Sequence, residues 1–212
     1  MISFTNLSDS LAQIIKTGGP VVVLLLIVSI LTLSLVLYKT WQFRAAHVGR
    51  HRQLRAALAA WDTGERAAAR AHLHQSRSYL APLLTQAFDD RDSDRIEAET
   101  EADFATLERG LGALDMIAQL APLLGLFGTV LGMIEAFQTL QSAGSSVDPS
   151  LLAGGIWVAL LTTAAGLAVA MPTALVLNWF EGRMQRERVF ANQALRIAFA
   201  PAAPPQTPVQ AA

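Results

Sequence analysis

The chain has 212 residues, of which 52% are hydrophobic and 16% charged, against about a quarter charged in an average soluble protein. The formal net charge is −1, so there is no basic excess of the kind that nucleic-acid binding requires. Cysteine is absent, which excludes disulfides, thiol catalysis, Cys-ligated zinc and iron–sulfur clusters.

The apolar residues fall in three charge-free blocks. Thr17 to Tyr38 is 22 residues, Met116 to Ile134 is 19, and Pro149 to Phe180 is 32. A helix needs about 20 mainly apolar residues to cross about 30 Å of hydrocarbon, so each block is long enough to span a bilayer. The first does not have the form of a cleaved signal peptide. Its apolar run exceeds the usual 7–15 residues, and the stretch before it is polar and acidic rather than basic. Tyr38 and Trp41 close it with side chains suited to a membrane interface.

Lys and Arg placement orients the spans. Lys16 is alone in the first 19 residues, whereas Lys39, Arg44, Arg50, Arg52 and Arg55 follow the first block. No Lys or Arg lies between Gly110 and Gly182, after which come Arg183, Arg186 and Arg188. The expected organisation is a periplasmic N-terminal segment (1–19), a first transmembrane helix (20–38) and a cytoplasmic helical segment (39–115). A second transmembrane helix (116–140), a periplasmic loop (141–150) and a third transmembrane helix (151–180) follow. A cytoplasmic extension (181–200) and a disordered, proline-rich tail (201–212) complete the chain.

The cytoplasmic segment carries 11 of the 16 basic and 12 of the 17 acidic residues. Trp41 to Tyr79 reads as helix, punctuated by Gly64 and later Pro82. Asp94 and Glu97 have N-cap and N3 chemistry. From there Thr100, Phe104, Leu107, Leu111 and Leu114 repeat at helical spacing into the second apolar block. The pattern predicts one helix from Asp94 to Leu140, about 70 Å long, with the third helix similarly extended beyond Phe180. His47 and His51 are spaced to share a helix face, but no carboxylate lies at metal-ligand spacing, so no metal site is expected. Nor does any Gly-rich phosphate loop, nucleophile elbow or paired-carboxylate motif appear. An enzyme is not expected, and neither is a cofactor.

The second and third blocks carry the remaining information. Gly125, Gly128 and Gly132 leave a groove on the second helix, and Pro122 removes one backbone donor near its cytoplasmic side. On the third helix Gly155, Ala159, Thr162, Gly166, Ala170 and Thr173 form one stripe of small or hydroxyl residues, with Thr163 beside it. Such a stripe suits close helix packing. It also suits a polar-dotted pathway in which Thr129, Thr162 and Thr163 hold hydroxyls at mid-membrane depth. Hydroxyls relay protons but do not carry charge alone, so a carrier at the centre would have to come from a partner. Glu135, near the outer end of the second helix, reads either as a solvated helix-end charge or as a vestibule carboxylate.

Two stretches carry a resemblance: Leu107-Glu108-Arg109-Gly110 through Ile117–Ile134, which holds Ala121-Pro122-Leu123-Leu124-Gly125-Leu126-Phe127-Gly128-Thr129, and Leu161-Thr162-Thr163-Ala164-Ala165-Gly166 through Met171-Pro172. With Gly18-Gly19-Pro20, they resemble the MotA/TolQ/ExbB proton channel family in its ExbB/TolQ branch. The resemblance implies an all-α integral membrane protein of three transmembrane helices, the second and third extended far into the cytoplasm. It implies a homopentamer around a central lumen lined by those two helices. It further implies a paired ExbD/TolR-like single-span protein whose membrane Asp carries the proton, and a TonB- or TolA-like protein as the load. Residues Thr129 and Thr163 match the family's lumen threonines, and Thr162 adjoins them. Gly125, Gly128, Gly132, Ala159, Gly166, Ala170 and Pro172 would serve helix packing or partner contact. Where better-known members carry Glu in the third helix, this chain has Val158, beside Trp157. The expected function is a proton-channel subunit of a bacterial inner membrane that energises transport across the outer membrane. The alternative is a non-conducting scaffold that stabilises a single-span partner.

Overall fold

A computed structural model describes residues 4–89, 92–142 and 149–203. Among these, all regular structure is helical: α1 (Phe4–Ala45), α2 (Arg52–Asp62), α3 (Arg66–His74), α4 (Ala81–Asp89), α5 (Ser93–Glu108), α6 (Leu111–Ser142) and α7 (Pro149–Phe199). Three of them are long and apolar enough to cross a membrane, at Gly19–Ala45, Leu111–Ser142 and Leu152–Phe199. The chain divides into two units: Met1–Leu37 with Gly110–Asn178, and Tyr38–Arg109 with Trp179–Ala212.

The first unit holds the apolar parts of α1, α6 and α7. Helix begins at Phe4, within the expected N-terminal segment, and α1 bends at Gly19, whose backbone sits at φ 66°, ψ −169°. Proline disfavours helical geometry in the residue before it, and only glycine takes this φ without strain; Pro20 then starts the next helical stretch, where its missing N–H costs nothing. Val21 and Leu25 of α1 pack with Ala121 of α6 and Ala170 of α7 as a buried cluster. Many larger side chains stay exposed on the outside, among them Ile30, Leu33, Leu123, Phe127 and Leu175, as expected where lipid covers them. Helix α6 runs through Pro122 without interruption.

The second unit is a helical assembly of more ordinary amphipathic elements. Gly64, at φ 86°, separates α2 from α3, and Pro82 sits in the first turn of α4 rather than ending a helix. Trp61 stacks on Phe88 with ring centroids 3.8 Å apart, and its indole N–H donates to the Ala198 carbonyl at 3.0 Å. The Ala202 N–H donates to the Asp62 carboxylate at 2.7 Å and the Ala203 N–H to the Asp62 carbonyl. The start of the expected disordered tail is thus tied down; residues 204–212 lie outside the described residues, as do 143–148 of the expected periplasmic loop.

Two local expectations are corrected. The N-cap of α5 is Asp92, whose carboxylate accepts from the Arg95 N–H at 3.3 Å, so Asp94 falls inside the first turn. The single helix expected from Asp94 to Leu140 is instead two, α5 and α6. Arg109 leaves helical geometry (φ −53°, ψ 124°), and Gly110 follows at φ 92°, where a residue with a Cβ would be strained.

Candidate functional site

The glycines of α6 and the small stripe of α7 meet. A Cβ built on Gly166 would lie 2.6 Å from the Ala121 carbonyl oxygen and 3.0 Å from Gly125 Cα. One on Gly128 would lie 2.6 Å from Thr162 Cβ, and one on Gly125 2.9 Å from the Thr162 carbonyl oxygen. Gly132 faces Ala159, and a Cβ on Gly155 would overlap that of Ala136. Backbone therefore packs on backbone, which is how small residues drive association where lipid is as apolar as leucine.

Within this contact the threonines differ. Thr162 is 1% exposed as a residue; its hydroxyl donates to the Ala159 carbonyl at 2.7 Å and lies 3.3 Å from the Gly125 carbonyl across the interface. The half-buried Thr163 directs its hydroxyl at the same Gly125 oxygen, at 3.4 Å. One carbonyl of α6 thus gathers two hydroxyls of α7. Thr129 is half-buried and turns its hydroxyl back to the Leu126 carbonyl of its own helix at 2.6 Å. Ala170 joins the buried cluster with α1, whereas Pro172 is exposed. Glu135 is exposed; its backbone carbonyl accepts from the Thr139 hydroxyl. Val158 is half-buried and Trp157 is 62% exposed. The structure thus brings together Gly125, Gly128, Gly132, Ala159, Thr162, Thr163 and Gly166, and leaves Thr129, Glu135 and Pro172 outside that contact. Among the described residues the contact offers hydroxyls and a shared carbonyl, groups that orient water, and no titratable side chain.

The second unit contains a polar cluster that spacing along the chain does not reveal. His51 Nε2 lies 2.8 Å from the Glu187 carboxylate, 136 residues away. Tyr79 donates its hydroxyl to the same carboxylate at 3.2 Å. His51 and Glu187 are both buried, and Phe190 stacks on the imidazole at 4.2 Å. Burial, then the charge of Glu187 and the hydrogen bond to it, and then the charge of Asp103, hold the Tyr79 phenol well above its ordinary pKa. His47 does not share a helix face with His51: it sits in a turn at φ 53°, and His51 is the N-cap of α2. The Lys39 ammonium, 1% exposed as a residue, donates to Gln42 at 2.7 Å and to the Leu107 carbonyl at 2.8 Å. That carbonyl is in the last turn of α5, where a cation is favoured.

Three helices long and apolar enough to span a bilayer, two joined by a backbone-to-backbone small-residue contact, define a multi-pass membrane protein. Comparison with known proteins gives the family. Residues 60–192 match the model of the MotA/TolQ/ExbB proton channel family. A biopolymer transport protein of Neisseria meningitidis, ExbB, is 31% identical over 196 residues, covering 80% of this chain and 86% of its own. A Synechocystis protein described as ExbB-like 1 is 37% identical over 169 residues, covering 76% of this chain and 66% of its own. The Vibrio cholerae biopolymer transport protein exbB1 is 51% identical over 63 residues, or 30% of this chain and 28% of its own. The match thus spans just under two thirds of the Synechocystis protein and under a third of the Vibrio protein. The chain belongs to the MotA/TolQ/ExbB proton channel family and is ExbB-like within it.

Proposed function

We propose that the chain is the channel-forming subunit of a proton-driven motor in a bacterial inner membrane. Five copies surround a lumen lined by α6 and α7, with the N-terminus periplasmic and the C-terminus cytoplasmic. Inside runs a single-span partner of ExbD or TolR type, whose membrane Asp carries the proton. Flow through the complex energises a TonB- or TolA-like protein that spans the periplasm. The carrying observation is the α6–α7 contact, in which Thr162 and Thr163 direct hydroxyls at the Gly125 carbonyl and no carboxylate takes part. The half-buried Thr163 hydroxyl at the margin of this contact can meet water and hand on a proton, but the path needs a titrating group from elsewhere. Thr129 and Thr163 are the lumen threonines of this reading, and Glu135 stands at the outer vestibule.

Reconstitution tests it. The chain co-purified with its single-span partner and placed in proteoliposomes should pass protons down an imposed gradient. A non-conducting scaffold would retain the partner and pass none.

A further inference from the structure

We infer that the second unit holds a binding site for the headgroup of an anionic phospholipid, in a cleft of about 420 Å³ built around Arg44, Arg50 and Arg183. Thr40 and Trp179 also line it, with no carboxylate among the lining residues.

One of the cationic groups is held in place. Arg183 of α7 donates from Nη2 to the Val48 carbonyl at 2.6 Å. Its guanidinium lies over Gly49, where a Cβ would overlap it, and Gly49 sits at φ 81°. The Arg183 side chain therefore rests in a seat that glycine leaves open. His47 at φ 53° and Gly49 together reverse the chain after α1, which brings Arg50 back to the cleft that Arg44 lines. Arg44 and Arg50 are both exposed. Among the described residues neither forms an ion pair. Three guanidinium groups line the one cleft, one of them pinned, and arginine, with its planar donor fork, is the side chain best suited to a phosphate.

The surroundings select a lipid as the source of that phosphate. The cleft residues of α1 directly follow the apolar run that ends at Tyr38, and Trp179 stands at the end of the apolar run of α7. Tyr38, Trp41 and Trp179 are 55%, 68% and 54% exposed. Large exposed aromatics with a polar edge settle at headgroup depth, so the arginines lie where lipid phosphates are. An acidic protein segment would have to compete for them there. Basic pockets at the ends of membrane helices hold anionic headgroups in just this way.

The test uses the full chain in mild detergent, titrated with dioctanoyl phosphatidylglycerol or dioctanoyl phosphatidylcholine and followed by thermal unfolding. Each exposed arginine should contribute about fivefold to the affinity for the anionic lipid. Arg44→Gln and Arg50→Gln should each weaken phosphatidylglycerol binding about fivefold, and the double variant about 25-fold. Their lipid-free melting temperatures should match the parent because both side chains are exposed, and phosphatidylcholine binding should not change. Affinity for phosphatidylglycerol within twofold of the parent in the double variant would overturn the assignment. So would equal binding of the two lipids by the parent. Inorganic phosphate or a pentaglutamate peptide binding as tightly as phosphatidylglycerol would replace the lipid with a soluble anion or an acidic peptide, and would equally overturn it.

Discussion

Replacing Gly166 by Ala isolates the α6–α7 contact. The new methyl would sit 2.6 Å from the Ala121 carbonyl oxygen, 3.0 Å from Gly125 Cα and 3.2 Å from Gly125 N. All three are backbone atoms of one helix, so no side chain can swing aside and the helices must separate locally. Overpacking costs about 1–3 kcal/mol, and a backbone clash belongs at about 3 on that scale. Alanine's better helix propensity returns about 1 kcal/mol, leaving about 2 kcal/mol of destabilisation. At roughly 2–4 °C per kcal/mol for a chain of this size, Tm should fall by about 4–8 °C. The neighbours grade the effect. Gly128→Ala meets the buried Thr162 side chain at 2.6 Å and should cost nearly as much, whereas Gly132→Ala meets Ala159 at 3.3 Å and should cost little. Gly112→Ala and Gly154→Ala have nothing within 4 Å and should be neutral or slightly stabilising. Thermal unfolding in detergent at fixed protein concentration reads the series. A Gly166→Ala protein as stable as Gly154→Ala would refute the close contact.

Native mass spectrometry of the solubilised chain should give a homo-oligomer, five subunits on the proposed assembly, and monomers alone would exclude a shared lumen. Thr163→Val and Thr129→Val keep side-chain shape while removing the hydroxyl; both should abolish energy-dependent function while expression and oligomer mass stay unchanged, and normal activity in both would reduce these threonines to packing. Tyr79→Phe should cost about 1.5 kcal/mol near pH 7 by removing a hydrogen bond to a carboxylate. Its phenol pKa is raised in the folded state, so above pH about 10 the unfolded chain ionises first. The stability that Tyr79 supplies is therefore present below that pH and lost as pH rises. The gap between parent and Tyr79→Phe should close between pH 9 and 11.5, by at most about 1.4 kcal/mol per pH unit. A constant gap in chemical unfolding across that range would contradict the buried phenol–Glu187 contact.

What the sequence conveyed depended on how local each signal was. The spans follow from charge-free length, and the α7 stripe from helical spacing; Ala159, Thr162, Ala170 and Thr173 are all buried. The same periodicity concealed the break between α5 and α6. Thr100, Phe104, Leu107, Leu111 and Leu114 are all buried, so the apolar rhythm continues across Arg109–Gly110 although the helix does not. Burial periodicity reports which residues turn inward, and one interrupting residue hardly disturbs it. A glycine in a helix costs only about 1 kcal/mol, so Gly110 by itself did not announce the turn. His51 and Glu187 stand 136 positions apart, and no spacing rule joins them. Lys39 marked the end of a span by its charge, but its burial against the Leu107 carbonyl depends on a contact with α5 that spacing does not encode.

The central claim is a division of labour: this chain supplies the hydroxyl-lined path and its partner supplies the titrating group. Val158 cannot titrate, and Glu135 is exposed on α6, so neither is assigned the mid-membrane step. Proton flux through the reconstituted complex should fall modestly or not at all with Glu135→Gln, and should vanish when the membrane Asp of the single-span partner becomes Asn. Full loss of flux with Glu135→Gln, with the oligomer intact, would place an essential titrating group in this chain and contradict the account.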